Sequence, residues 1–95
     1  MKAASRHTQA LPGADLVERG VADLKARRET TEALLVSIGA PRLRSLGYDL
    51  PPSFDSPEHR LYLRLAEEKG NAAHSAYNAL IRRLVSFERA TQCAN

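Results

Sequence analysis

At 95 residues, with aromatic content of 5% and no tryptophan, the chain holds one small domain whose core must be filled mainly by leucine, alanine, valine and isoleucine. Its formal net charge of +3 is mixed in sign along the chain; it permits contact with nucleic acid but lacks the one-sided basic field of a strong nucleic-acid binder. The lone cysteine, Cys93, excludes an internal disulfide framework and a cysteine-based zinc site, and no run approaches the ~18 apolar residues of a membrane span.

Residues 1–13 predict a flexible arm. They lack periodicity and end in the breakers Pro12-Gly13. Lys2 and Arg6 come without an apolar h-region, so the arm does not read as a signal peptide, and the expected location is a reducing cytoplasm. Arginine far outnumbers lysine and alanine is abundant, a bias that reports the codon usage of a GC-rich genome rather than a function.

A first helix is expected from about Asp15, whose carboxylate suits an N-cap. Leu16, Val17, Val21 and Leu24 form its inner face, with Gly20 a weak interior point. It runs out in Lys25, Arg27 and Arg28, where cations favour the negative end of the dipole. Thr30 or Thr31 caps a second helix whose body, Ala33 to Ile38, is almost wholly apolar. This should be the most buried segment, ending at Gly39. Pro41 suits the first turn of a short third helix, Pro41 to Leu46, with Leu43 and Leu46 inward and Gly47 as its C-cap.

Tyr48 to Asp55 is a linker that Pro51-Pro52 keeps extended, with Leu50 and Phe54 tucked against the core. Ser56-Pro57-Glu58 then combines a cap, a first-turn proline and a first-turn acid. The fourth helix runs to about Lys69 with Leu61, Tyr62 and Leu65 on its inner face. Gly70-Asn71 closes it, and Asn71 caps the last helix. From there to Arg89, Ala73, Tyr77, Leu80, Ile81, Leu84 and Phe87 recur at three- and four-residue intervals and share one face. His74, Asn78, Arg82, Arg83, Glu88 and Arg89 are expected on the wet side. The fold class is therefore all-α: a compact bundle of four to five helices over residues 14–90, ending in an antiparallel helical hairpin, with residues 91–95 a frayed tail.

No motif carries chemistry. Asp55, His59 and His74 are the nearest approach to a ligand cluster, but no His-x-x-x-His pair accompanies them, so they read as solvated or capping residues and no metal is expected. The serines lack a nucleophile-elbow frame, and the five glycines form neither a Walker loop nor a dinucleotide turn. No Arg–His pair lies within one helix in the order that RNA-cleaving helical domains use. The expectation is a protein that is not an enzyme and takes no cofactor.

Arginine punctuates every predicted helix. Most such residues should face water or pair with Glu29, Glu58, Glu67 and Glu88. Arginine is also enriched at protein interfaces, where its fork binds carboxylates in bidentate fashion. Arg64, Tyr77, Arg82 and Arg83 are the expected partner contacts, with Tyr62 nearby. An alternative is a helix-turn-helix: the second helix, a turn at Gly39-Ala40, and a short helix presenting Arg42 and Arg44 to phosphates or guanine edges. Pro41 leaves that helix scarcely two turns, and its outward face holds no Asn or Gln for adenine, so a compact corner of a bundle is the stronger reading. A third class is a homo-oligomer whose core is completed by self-association.

The stretches Leu34-Leu35-Val36-Ser37-Ile38-Gly39-Ala40-Pro41-Arg42-Leu43 and Ala73-His74-Ser75-Ala76-Tyr77-Asn78-Ala79-Leu80-Ile81-Arg82-Arg83-Leu84 resemble small bacterial proteins of two-gene modules, some of which include a minimal nucleotidyltransferase. They cover under half the chain. The resemblance implies a protein that binds the product of an adjacent gene, as an antitoxin does, and occludes it. It assigns no functional residue.

Overall fold

The computed structural model describes residues 11–94. Among them the backbone is all-α, with no strand, in three helical stretches. Helix α1 is Ala14–Lys25 and α2 is Thr31–Ser45. The third stretch is 38 residues long and is divided by the 3-10 turn Gly70–Ala72 into α3, Pro57–Lys69, and α4, Ala73–Ala94. A straight helix of that length would span about 57 Å, yet the longest dimension of the molecule is 41 Å. The stretch is therefore bent, and the bend is at Gly70, whose φ of 55° and ψ of −121° suit only glycine. Beyond it α4 packs on α3, and the rings of Tyr62 and Tyr77 meet edge to face at 6.0 Å.

Helix α2 is the centre of the fold, touching α1, α3 and α4. From Ala33 through Ser37 every residue is buried, as expected of a segment with no polar face. Leu34, Leu35, Val36 and Leu43 meet Val17 and Leu24 of α1, Leu61 and Leu65 of α3, and Leu84 and Phe87 of α4 in one core. The greasy ridge of the last helix is thus sheltered: Phe87 is fully buried and Leu84 nearly so, with Tyr77, Leu80 and Ile81 half-buried beside them.

Helices α1 and α2 approach closely where they cross at Gly20. A Cβ on Gly20 would lie 2.4 Å from both the Glu32 carbonyl oxygen and a Val36 methyl. The residue that looked like a weak point of the first helix is what lets the two helices touch.

The α1–α2 corner is held by polar contacts that the sequence only half indicated. Thr30 is the N-cap of α2, its hydroxyl oxygen accepting from the Ala33 amide at 3.1 Å while its proton goes to Asp23 Oδ2 at 2.7 Å. Asp23 also takes Arg28 at 3.2 Å. The Thr30 hydrogen bond leads in holding the Asp23 carboxyl below its usual range, with Arg28 assisting against the effect of burial. Arg27 closes α1 in the left-handed conformation, φ 58°, with its amide bonded to Leu24 O and that of Arg28 to Asp23 O, the pattern of a Schellman cap. Gly47 closes α2 in the same way, as expected, through Gly47 N to Arg44 O and Tyr48 N to Leu43 O.

Several expectations are corrected. Pro41–Leu46 is not a separate helix, because α2 continues through Gly39 and Pro41 to Ser45. A proline inside a helix deprives the carbonyl four residues back of its donor. Here that carbonyl belongs to Ser37, and the Ser53 hydroxyl donates to it at 3.4 Å. Asp15 does not cap α1: Gly13 is the N-cap residue, and Asp15 pairs with Arg83 at 3.3 Å. Ser56 stands at the N-cap of α3 with φ 45° but makes no side-chain cap bond. Asn71 lies within the 3-10 turn rather than capping α4. Helix α4 extends to Ala94 and buries Thr91, so residues 91–94 continue the helix where a tail was expected. Residues 1–10 of the expected arm lie outside the described residues; Leu11, at its end, packs against the core.

The linker is extended and strapped down. Phe54 donates its amide to the buried Ser37 Oγ at 3.2 Å. Arg27 donates to Pro52 O at 2.7 Å and lies 4.7 Å from the centroid of the Phe54 ring, a cation–π geometry. Arg44 donates to Pro51 O at 2.8 Å.

Two substitutions test this account. Gly20→Ala should cost about 1–3 kcal/mol by overpacking, against a helix-propensity gain of about 1 kcal/mol, and lower the midpoint of thermal unfolding; an unchanged or raised midpoint would contradict the close crossing. Ser37→Ala removes the acceptor of the Phe54 amide, which should lose about 1–3 kcal/mol and speed hydrogen exchange at Phe54 while the amides of α4 stay protected.

Candidate functional site

The four expected partner contacts do not form one patch. Arg64 is tied to the start of α2: its Nε donates to Thr31 Oγ1 at 3.1 Å, with Glu68 4.0 Å away. Tyr77 is half-buried against Tyr62, and its phenol is pushed up by burial, with Glu58 adding to the effect. Arg82 lies five residues beyond Tyr77, about 140° around the helix. With Arg83 it lines a hollow of ≈ 420 Å³ on another side of α4, against Pro12 and Gly13.

The two arginines of the helix-turn-helix alternative are engaged within the fold. Arg42 donates to Gln92 Oε1 on α4, and Arg44 to Pro51 O. Since α2 is unbroken from Thr31 to Ser45, there is no turn at Gly39-Ala40 and no second helix to enter a groove of DNA. Among the described residues no three metal-ligating side chains come together. His74 instead lies 3.3 Å from the Asn78 amide nitrogen.

Other arginines fasten one element to the next: Arg60 to Glu29 at 3.0 Å, Arg19 to Glu32 at 3.9 Å, and Arg83 to Asp15. Exposed ion pairs of this kind contribute about 0–1 kcal/mol each. They set orientation more than stability.

The structure assembles a different site. Ile38, Gly39, Pro41 and Arg42 of α2 face Ile81, Leu84, Val85 and Glu88 of α4 across a groove of ≈ 270 Å³. Tyr77, Ile81 and Val85 follow one another at four-residue spacing and are all half-buried, so they form an apolar track along one side of α4. At its upper end Tyr77 meets Tyr62. Tyr62 and Leu63, at 40% and 51% exposure, are the large apolar side chains that α3 leaves open to solvent.

At its lower end is Glu88, only 7% exposed. Sequence reasoning placed this residue on the wet face, which is wrong. The signal was present: Glu88 is four residues beyond Leu84 and seven beyond Ile81, which is stripe spacing. Gly39 makes the room, since a Cβ there would stand 2.9 Å from Glu88 Oε2 and from a Leu84 methyl. No hydrogen-bond or ion-pair partner of the Glu88 carboxylate is found among the described residues. Burial pushes its carboxyl up, and Arg42 pulls it partly back.

No protein-family model matches the sequence, and neither a curated protein nor a solved structure matches the chain. Among the described residues no helix is long and apolar enough to cross a membrane. The groove offers apolar walls on α2 and α4 and, at its lower end, a carboxylate able to accept hydrogen bonds.

The pH dependence of stability should show the buried acid. A carboxyl whose folded pKa is raised binds its proton more readily in the native state than in the unfolded one. Its contribution is intact below the unfolded pKa and is lost as pH rises through the raised folded value. Glu88→Gln, which cannot ionise, should remove that downward slope above the ordinary glutamate range and make the folded chain more stable than wild type at neutral pH. Parallel stability profiles for the two proteins from pH 4 to 8 would contradict it.

Proposed function

We propose that this chain is a protein-binding module that acts by docking on and covering a partner, and that the partner is the product of an adjacent gene in a bacterial two-gene module. In that setting it serves as the small antitoxin-like member. The observation that carries the reading is the α2–α4 groove with its apolar track from Tyr77 to Val85. Such a track, half-sheltered in the free molecule and bordered by polar residues, is what a helix-in-groove or flat apolar contact requires. Asn78 and Arg89, each one position beyond a track or groove residue and both exposed, supply a polar flank.

Of the contacts expected from sequence, Tyr77 stands at the upper end of this track, while Arg82 lines the hollow on another side of α4. Arg64 and Arg83 hold the fold together from other sides. Arg42 sits at the groove's edge as a wall residue rather than as a reader of DNA.

The test is co-expression with the neighbouring gene's product followed by purification of the complex. Val85→Asp should weaken that complex about thirtyfold or more, as expected for a central contact. Ala79→Asp, at an exposed position that lines the hollow on the other side of α4, should leave affinity within about threefold, since substitutions away from the contact have little effect. A complex indifferent to Val85→Asp, with both variants shown to be folded by circular dichroism, would refute docking through the groove.

A further inference from the structure

The reading above names a surface; the groove also indicates what its occupant must carry. We infer that the partner segment seated here presents a lysine or arginine, flanked by apolar side chains, and that this cation meets the Glu88 carboxylate at the base of the groove. The inference rests on the docking reading and adds the partner's chemistry to it.

The buried carboxylate is the argument. An acid at 7% exposure without a protein donor is costly to keep in a folded chain, because it has lost most of its water and gained no hydrogen bond in return, although its oxygens are not sealed from solvent. Most buried charges are paired. The groove's own cation does not pair with this one: Arg42 reaches past it to Gln92, one turn further along α4, and comes no nearer Glu88 than the 4.0 Å limit of an ion pair. The carboxylate is instead at the lining of the open groove, beside Gly39, with Ile81 and Val85 leading toward it.

That arrangement matches the two parts of a basic side chain in an amphipathic segment. The methylenes of lysine or arginine and its apolar neighbours lie along Ile38, Ile81 and Val85, and the charged head donates to the carboxylate. An acidic head would be repelled by Glu88, and a neutral donor would pair with it through a hydrogen bond about half as strong. A purely apolar segment would cover it with no donor. The groove therefore discriminates by charge as well as by shape.

Hexylammonium is the probe, because it has a lysine-like head on an apolar stem; hexanol and hexanoate are its neutral and anionic counterparts. Titrated into the isotopically labelled full chain at pH 7, hexylammonium should shift the resonances of Ile38, Ile81, Val85 and Glu88. It should bind about tenfold more tightly than hexanol, as a charge-assisted hydrogen bond implies, and hexanoate should bind least. Glu88→Gln should erase the advantage of hexylammonium while leaving the hexanol affinity unchanged. Equal binding of the three probes, shifts centred elsewhere, or a preference for hexylammonium that survives Glu88→Gln would each overturn the inference.

The complex with the neighbouring gene's product separates this result from the proposed function. If that complex is sensitive to Val85→Asp but as tight with Glu88→Gln as with wild type, the groove is the interface and the cation requirement is wrong. If the probes behave as expected and no such complex forms, the carboxylate site stands and the two-gene reading falls.

Discussion

From Ala33 to Ser37 helix α2 has no side that tolerates water. The constraint on the rest of the chain is to cover it from every direction with about fifty further helical residues. Helix α1 takes one side through the Gly20 crossing, α3 and α4 take others, and the Tyr48–Asp55 segment lies along what remains. A chain this short cannot build a second layer, so each covering element is also a surface. That explains why so many apolar residues of the covering elements, including Leu16, Val21, Leu80 and Ile81, are half-buried rather than hidden.

Arginine is the fastening in this scheme. Arg27, Arg44, Arg60 and Arg64 each reach from one element to an oxygen on another. The planar fork suits a carbonyl or carboxylate at a distance that lysine meets less well. A chain with few aromatics gains lateral attachment this way, and the extended linker, which has no internal hydrogen-bond ladder, depends on it. Most of the described arginines therefore hold an oxygen of the same chain while their side chains remain at the surface.

The α2–α4 groove is the exception to this tight attachment. Gly39 removes a side chain from the interface, Leu84 and Glu88 move into the space, and a carboxylate comes to lie where only apolar contacts would otherwise be. A fold selected for stability alone would place a methyl group there. Retaining an acid there costs the free molecule some stability.

Local rules were enough to read the helical class, the buried second helix, its threonine cap at Thr30 or Thr31, the Gly47 stop and the one-sided stripe of the last helix. Each of these is decided by residues within about two helical turns of one another. The continuity of α2 was not legible, because the carbonyl that Pro41 orphans is satisfied by Ser53, sixteen positions away. The burial of Glu88 was visible in its spacing but overruled by its charge. The pairing of Tyr62 with Tyr77 depends on the bend at Gly70 and on the rotation of α4 against its neighbours, whereas the separation of Arg82 from Tyr77 follows from their five-residue spacing on one helix. Sequence alone settled which segments coil and which side of each is greasy; only the tertiary structure decided which polar atoms those sides enclose, because the donors and acceptors that compensate them come from distant parts of the chain.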